Sequence, residues 1–365
     1  MTELTFHTLD HESAWDDYVT GHPDGTFCHL SGWRDVFKET YGHKDYYVSA
    51  RNGGAIVGVL PLFLLKSLGR GSRLISMPFL DCGGILAENS DVEKEIFCRA
   101  TNFAGAVKAK AIELRYGGPL QRARVVTGTE EGRGAVFVDG IEMPFLARSH
   151  KVRMLLKLPD NTDALMASFK SKLRSQIRRP IKEGCEVSIG GVELVNDFYR
   201  VFTVNMRDLG SPVHSKNLFL NIFKKFSDKI KIVLVRKEGI PIAASVIIGF
   251  RGTLSNPWAS SLKEHSRLSP NMLLYWAALA YGCENGFSYF DFGRSSPGEG
   301  TFRFKEQWGA EPQPLNWLIF SLNGRSAEED GLEKSKYSKA IYYWKLLPVP
   351  LTRLIGPRVR KHIGL

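Results

Sequence analysis

The chain carries one short plan twice. In the first half, Tyr46-Tyr47-Val48-Ser49-Ala50 runs through Asn52-Gly53-Gly54 into Ile56-Val57-Gly58-Val59-Leu60-Pro61-Leu62-Phe63. In the second, Ile230-Lys231-Ile232-Val233-Leu234-Val235 runs through Lys237-Glu238-Gly239 into the apolar run from Ile240 to Ile248. A β-rich run, a glycine-bearing turn and a second β-rich run is the pattern of a hairpin. Each hairpin is followed at a similar distance by a strand-like segment, Ser76-Met77-Pro78-Phe79 or Ser255-Asn256-Pro257-Trp258. A helix pattern comes next, Val92 to Lys110 or Asn271 to Asn285, and then a short strand, Ala111 to Arg115 or Tyr289 to Phe292. In the second helix apolar residues fall at Leu273, Leu274, Trp276, Ala277, Ala280 and Tyr281, the period of a half-buried helix. Ser269 suits its cap, Pro270 its first turn and Gly286 its stop. Two copies of this plan in 365 residues predict two mixed α/β (α+β) domains, residues 1–148 and 149–322, followed by a basic and aromatic tail, 323–365. The second domain opens with the strand Val152 to Leu158, beyond a loop-like stretch at Gly128 to Gly134.

The net charge of +11 favours an anionic partner: nucleic acid, a phosphorylated cofactor, a nucleotide-linked precursor or anionic lipid. Other classes are disfavoured. No apolar run approaches the roughly 20 residues of a spanning helix. The N-terminus lacks the basic-then-apolar order of a signal peptide, so the expected location is the cytoplasm. Five cysteines sit far apart with no C-x-x-C pair, and His7 and His11 lack a third ligand, so no metal site is expected. Cys82, in Asp81-Cys82-Gly83-Gly84, reads as a structural thiol in a tight turn.

Charge concentrates between Ala164 and Lys182. Lys170, Lys172, Arg174, Arg178, Arg179 and Lys182 are interleaved with Leu165, Phe169, Leu173 and Ile177 at every fourth residue, and no acid interrupts them before Glu183. The spacing puts the apolar residues on one stripe and leaves the cations outside it. Two readings stand: a solvated helix face, or a phosphate-binding ridge in which Arg174 and Arg178 each grip a phosphate through two N–H groups. Pro180 is expected to end or kink the helix.

A second constellation lies at 289–310, where a strand ending in Asp291-Phe292-Gly293 leads through Arg294 and a Gly/Ser/Pro loop to Phe304-Lys305-Glu306-Gln307-Trp308. Polar residues at a strand end before a flexible loop mark sites in α/β proteins. Asp291 and Arg294 are equally readable as a structural ion pair, and Lys305 as a surface lysine laid along aromatic rings. The loop is not a Walker motif, since no Gly-Lys-Ser/Thr follows it.

Taken together, Phe-Arg-Phe-Lys-Glu-Gln-Trp-Gly-Ala (302–310), the Asp-Phe-Gly strand before it, Ser269-Pro270-Asn271-Met272-Leu273-Leu274 and the basic Lys172-Leu173-Arg174-Ser175-Gln176-Ile177-Arg178-Arg179 resemble the FemAB-like branch of the GNAT superfamily over nearly the whole chain. More narrowly, they resemble its members from exopolysaccharide and exosortase (PEP-CTERM) clusters and acetyltransferase relatives of cellulose synthesis. The resemblance implies two tandem GNAT-like domains, each a mixed, mostly antiparallel sheet flanked by helices. It implies an acyl or aminoacyl transferase with aminoacyl-tRNA or an acyl-CoA thioester as donor and a nucleotide- or lipid-linked glycan or cell-wall precursor as acceptor. Phe304-Lys305 matches the family's Phe-Lys motif, whose lysine is linked to the reaction centre. Two departures stand out: the long coiled-coil insertion of some tRNA-dependent members is absent, and Arg267-Leu268-Ser269-Pro270-Asn271 replaces the pyrophosphate loop of ordinary acetyl-CoA enzymes.

Acyl transfer passes through a tetrahedral oxyanion, so a cation aimed at that oxygen is worth about 3–4 kcal/mol. Lys305, Asp291 and Arg294 are the expected catalytic residues, with Asp291 as proton acceptor or anchor for a cationic substrate. Lys172, Arg174, Arg178, Asn256, Trp258, Asn271, Phe304 and Trp308 are expected to bind substrate, although core packing explains Asn256, Trp258 and Trp308 as well. The tail from Lys334 alternates aromatic and apolar residues with cations and is cut by Pro348, Pro350 and Pro357. It is expected either to fold back on domain one or to dock peripherally on anionic membrane. A catalytically silent GNAT-fold protein of exopolysaccharide or export assembly, and a nucleic-acid-binding protein without chemistry, are the alternatives.

Overall fold

The computed structural model describes residues 5–7, 9, 11–67, 71–118, 133–138, 141–322 and 334–364. The Gly128–Gly134 stretch lies mostly outside them. Contacts divide the chain into two units. The first holds the N-terminal residues through Val152, the stretch beginning at Gln313, and Lys361 onward; the second runs from Arg153 to Pro312 and takes in the C-terminal helices up to Arg360. The return of the Gln313 stretch to the first unit departs from an uninterrupted 149–322 domain. The cause is pairing: Leu315 to Ser321 run antiparallel to Ala111–Gly117.

In the second unit the hairpin expectation holds and extends into one sheet. Cys185–Gly190, Ile230–Lys237, Ile240–Phe250 and Thr253–Ser261 pair antiparallel in that order, and Tyr289–Ser295 joins Thr253–Ser261 in parallel. The Ile230–Lys237 and Ile240–Phe250 strands are almost continuous in buried residues because helices lie on the sheet, among them Val195–Leu209 and Pro270–Glu284. The latter helix ends as expected. Gly286 takes φ +72°, and the Phe287 and Gly286 N–H groups bond to the Gly282 and Cys283 carbonyls. Its start differs: Ser269 has φ +54° and its side chain makes no capping bond, because capping by a hydroxyl needs an extended backbone there.

The first unit repeats the plan less faithfully. Its hairpin, Val48–Asn52 with Ala55–Leu60, belongs to a four-stranded sheet with Thr5–His7 and Leu86–Ala87. A different sheet carries Lys44–Asp45, Phe63–Ser67, Gly71–Ile75 and Ala111–Gly117. Ser76-Met77-Pro78-Phe79, expected as a strand, is a turn in which Phe79 has φ +68° and donates its N–H to the Gly364 carbonyl. Proline withholds an N–H from a ladder, and here the chain bends instead. The Ser90–Ala106 helix packs Ile96, Phe97 and Ala100 into the core with Leu318 and Phe320.

The tail forms two helices, Lys334–Leu346 and Val349–Arg360, separated at Pro348. Pro350 falls in the first turn of the second helix, where no N–H is needed, and Pro357 lies inside it. Both helices pack on Val195–Leu209 of the second unit, while the tail's residues from Lys361 onward belong to the first.

Candidate active site

The site builds on the parallel pair in the second unit. Thr253–Ser261 and Tyr289–Ser295 are in register over three residue pairs, the last being Ser255 with Asp291. There the first strand carries an irregularity: its antiparallel register shifts between Ile248–Ser255 and Val246–Trp258, so Asn256-Pro257 form a bulge. With its amide oriented to suit its neighbours, Asn256 donates from Nδ2 to the Val246 and Trp258 carbonyls at 3.2 and 3.1 Å. Asn256 therefore stitches the bulge. Trp258 is buried against Phe219 at 5.4 Å.

The second strand does not end at Gly293 as expected but runs on to Ser295, with its backbone distorted at Gly293. Gly293 has φ +73°, and a Cβ there would lie 3.2 Å from the Asn256 carbonyl, so both conformation and space call for glycine. Asp291 Oδ1 accepts the Gly293 N–H at 2.8 Å, and Oδ2 lies 3.8 Å from Arg153 Nη1. Lys305, in the Gly300–Glu306 helix, is only 7% exposed; its Nζ donates to the Gly293 carbonyl at 2.9 Å and to the Arg294 carbonyl at 2.8 Å. The lysine thus ties the loop's far end to its beginning. It is not the surface lysine that one reading allowed.

Aromatic rings support this clamp from beneath. Tyr275 stacks on Phe292 at 5.3 Å and meets Phe304 at 5.1 Å, and Trp308 meets Phe169 at 5.4 Å. Trp308 is 1% exposed, so its ring is packing, whereas Phe304 is half-buried. Burial pushes the Tyr275 hydroxyl up to about 12, so it stays protonated.

The basic segment is two helices. Thr162–Ser168 ends before Phe169, and Ser171–Lys182 starts afresh after Lys170. Leu165, Phe169, Leu173 and Ile177 are all buried, as the four-residue spacing requires. Pro180 lies inside the second helix without ending it. This helix packs on Pro270–Glu284, whose first turn holds the half-buried Asn271. Lys170, Lys172, Arg178, Arg179 and Lys182 are exposed and Arg174 is half-buried; none of the six has an ion-pair or side-chain hydrogen-bond partner among the described residues. Cations without counter-ions leave a positive potential on this helix.

Sequence reasoning missed Arg153, Gly293 and Tyr275. A φ above zero and a partner far along the chain leave little local trace. Proline within a strand run at Asn256-Pro257 was the available signal for the bulge.

Residues 167–306 match the family model of the acetyltransferase (GNAT) domain, a span that includes the basic helix, the bulged strand and Lys305. The chain is 22% identical over 272 residues to the lipid II:glycine glycyltransferase of Staphylococcus epidermidis, covering 71% of this chain and 62% of that protein. It thus spans about three-fifths of the length of that relative. The fold is that of FemX, with a TM-score of 0.64 at 16% identity over 93% of this chain and all of the other. A tandem GNAT protein of the clavulanic acid pathway shares it with a TM-score of 0.52 at 11% identity, over 89% of this chain and all of the other. Mixed α/β architecture, a GNAT domain over residues 167–306 and this likeness in sequence and fold agree with the resemblance to the FemAB-like branch of the GNAT superfamily.

Proposed function

We propose that the protein is an N-acyltransferase that moves an aminoacyl group from aminoacyl-tRNA to an amine of a lipid-linked cell-wall precursor. The observation that carries this reading is the ridge of six unneutralised cations on the Ser171–Lys182 helix and its leading Lys170, packed on the helix beside the bulged strand. A phosphate-rich donor suits such a ridge better than a small thioester. The replacement of the pyrophosphate loop at Arg267 to Asn271 supports the same choice. The lipid II:glycine glycyltransferases among its relatives support the acceptor class.

In the reaction, the acceptor amine attacks the ester carbonyl, a C–N bond forms and the carbonyl oxygen becomes an oxyanion. Collapse breaks the C–O bond to the tRNA ribose; the ribose oxygen gains a proton and the amine loses one. Arg174 and Arg178 hold donor phosphates through charge-assisted hydrogen bonds, with Lys172 beside them. Lys305 fixes the Gly293–Arg294 segment of the strand and sets a positive charge next to the carbonyl under attack, where a preorganised cation counts most. Asp291, fixed by Gly293 and Arg153, keeps the end of the strand in place. Holding two large substrates in register supplies much of the remaining acceleration.

The test is mass spectrometry of a lipid-linked disaccharide-peptide incubated with the protein and charged tRNA, and in parallel with acyl-CoA. A gain of one aminoacyl residue with charged tRNA is expected. A product from acyl-CoA alone would replace the donor assignment, and no product from either would refute the transferase reading. Exopolysaccharide precursors, which carry the same lipid-phosphate handle, form the second acceptor class to assay.

A further inference from the structure

We infer that the outer face of the two C-terminal helices is a docking surface for an anionic lipid membrane. Between Lys334 and Leu365 the chain has eight lysines and arginines and no aspartate or glutamate. The helices are fastened to the second unit from their inner side. A Cβ on Gly210 would run into Ile341, and one on Gly356 into Val213, so each glycine admits a close approach. Arg207 donates to the Leu347 carbonyl at 3.2 Å, Arg353 lies over the Tyr199 ring at 5.6 Å, and Arg360 Nε donates to His214 Nε2 at 3.1 Å. Burial, with Arg360 adding to it, drives the His214 pKa well below the ordinary histidine value, so its ring stays neutral and can accept that bond.

The opposite face is where a water-soluble surface should be polar, and it is not. Tyr342, Tyr343, Leu346 and Leu354 are 60–65% exposed and Leu351 is exposed as well, while Ile341, at the edge of the inner contact, is 37% exposed. Among the described residues, six of the thirteen exposed large hydrophobic side chains lie in this one stretch of fourteen residues. Scattered exposed leucines need no explanation, whereas a contiguous set marks an interaction surface. Lys339, Lys345 and Arg358 are exposed among them.

The mixture selects its occupant. Tyrosines and leucines interleaved with cations and free of acids match a headgroup layer with a negative surface: the rings and branched chains enter the acyl boundary while the cations meet lipid phosphates. A second copy of the same face would bring like charges together. Nucleic acid would use the cations and the tyrosines but gains nothing from Leu346, Leu351 and Leu354. Attachment would be peripheral, since no described helix is long and apolar enough to cross a membrane. The inference stands apart from the transfer reaction, and its test involves no turnover.

The full-length protein is sedimented with vesicles of phosphatidylcholine alone and of phosphatidylcholine mixed with phosphatidylglycerol, across a range of salt. It should bind the mixed vesicles, release with salt, and ignore the neutral ones. The variant Y342S/Y343S/L346S/L354S, whose altered side chains are all more than half exposed, should keep its melting temperature and lose roughly tenfold or more in affinity. K339Q/K345Q/R358Q should lose about fivefold per cation. Equal binding to both vesicle types, no binding, or undiminished binding by the serine variant would overturn the inference. So would tail-dependent binding of tRNA without vesicle binding, which would assign the face to nucleic acid.

Discussion

Each unit uses a buried cation to gather backbone carbonyls at the end of a strand, yet the two cations are set in different company. In the first unit Arg115 is 1% exposed and donates to the Met77 and Leu80 carbonyls at 2.8 and 2.6 Å, while Trp317 lies against its face at 4.4 Å. Its Nε and Nη2 both reach Glu113 Oε1, at 2.9 and 2.7 Å, and Arg73 meets the other oxygen at 3.2 Å. Burial alone would raise the Glu113 carboxyl; the Arg115 and Arg73 guanidiniums outweigh it and hold the carboxyl below its ordinary range. In the second unit Lys305 draws in the Gly293 and Arg294 carbonyls, within the same unit as a helix whose cations no acid offsets. The first arrangement is a neutralised, fork-shaped scaffold. The second leaves positive charge that no acid among the described residues offsets. On the proposed function, one unit serves as a frame and the other carries the site.

Substitution should separate the two. Arg115→Met leaves buried Glu113 with Arg73 as its remaining cation, takes the donor from the Met77 and Leu80 carbonyls, and is expected to lower unfolding free energy by about 3–5 kcal/mol in urea titration. Lys305→Ala should instead lower turnover about a hundredfold, with a stability loss of only about 1–3 kcal/mol for two carbonyls left short of donors. If Lys305→Ala loses as much stability as Arg115→Met, both cations are scaffolding and the contrast fails.

Acid should expose the frame next. His29 is buried, with Nδ1 3.2 Å from the Thr26 N–H and Nε2 3.1 Å from the Gly84 carbonyl, so the neutral ring with its proton on Nε2 satisfies both neighbours. Burial lowers its pKa to about 4, and burial together with the positive charges of His362 and Lys361 does the same to His43. Between pH 4 and the ordinary histidine value near 6.5 the unfolded chain binds a proton at each ring and the folded chain does not. Stability therefore declines as pH falls through that window and levels off near pH 4, by on the order of 3 kcal/mol for His29. Denaturation from pH 7 to 4 should follow this slope, and His29→Gln should make it shallower, leaving the His43 share. A flat parent profile would mean that the rings are not held neutral.

Much of the second unit was legible from its residues. Both strands of the 230–248 hairpin, the Pro270–Glu284 helix with its Gly286 stop and the start of the last strand, Tyr289 to Phe292, follow from alternation, helical period and turn chemistry, all local signals. The first unit was harder. Its Ser76-Met77-Pro78-Phe79 segment has strand-like residues, but its bend is fixed by Arg115 and by the Gly364 carbonyl, partners 35 residues and more away. At the site, Lys305, Asp291 and the basic helix stood out as charges in apolar company. The fact that Lys305 faces carbonyls, and that Asp291 meets Arg153, depends on tertiary contacts that no spacing encodes.

The smallest expected effect is also the most direct test, because it touches the ridge and nothing structural. Arg174→Gln with Arg178→Gln removes two cations that hold no partner among the described residues. The KM for charged tRNA, measured at several salt concentrations, should rise about tenfold at an unchanged melting temperature. Its salt dependence should become shallower, by about 0.7 in log–log slope for each phosphate that the helix no longer binds. A KM and salt slope equal to the parent's would contradict a donor site on this helix.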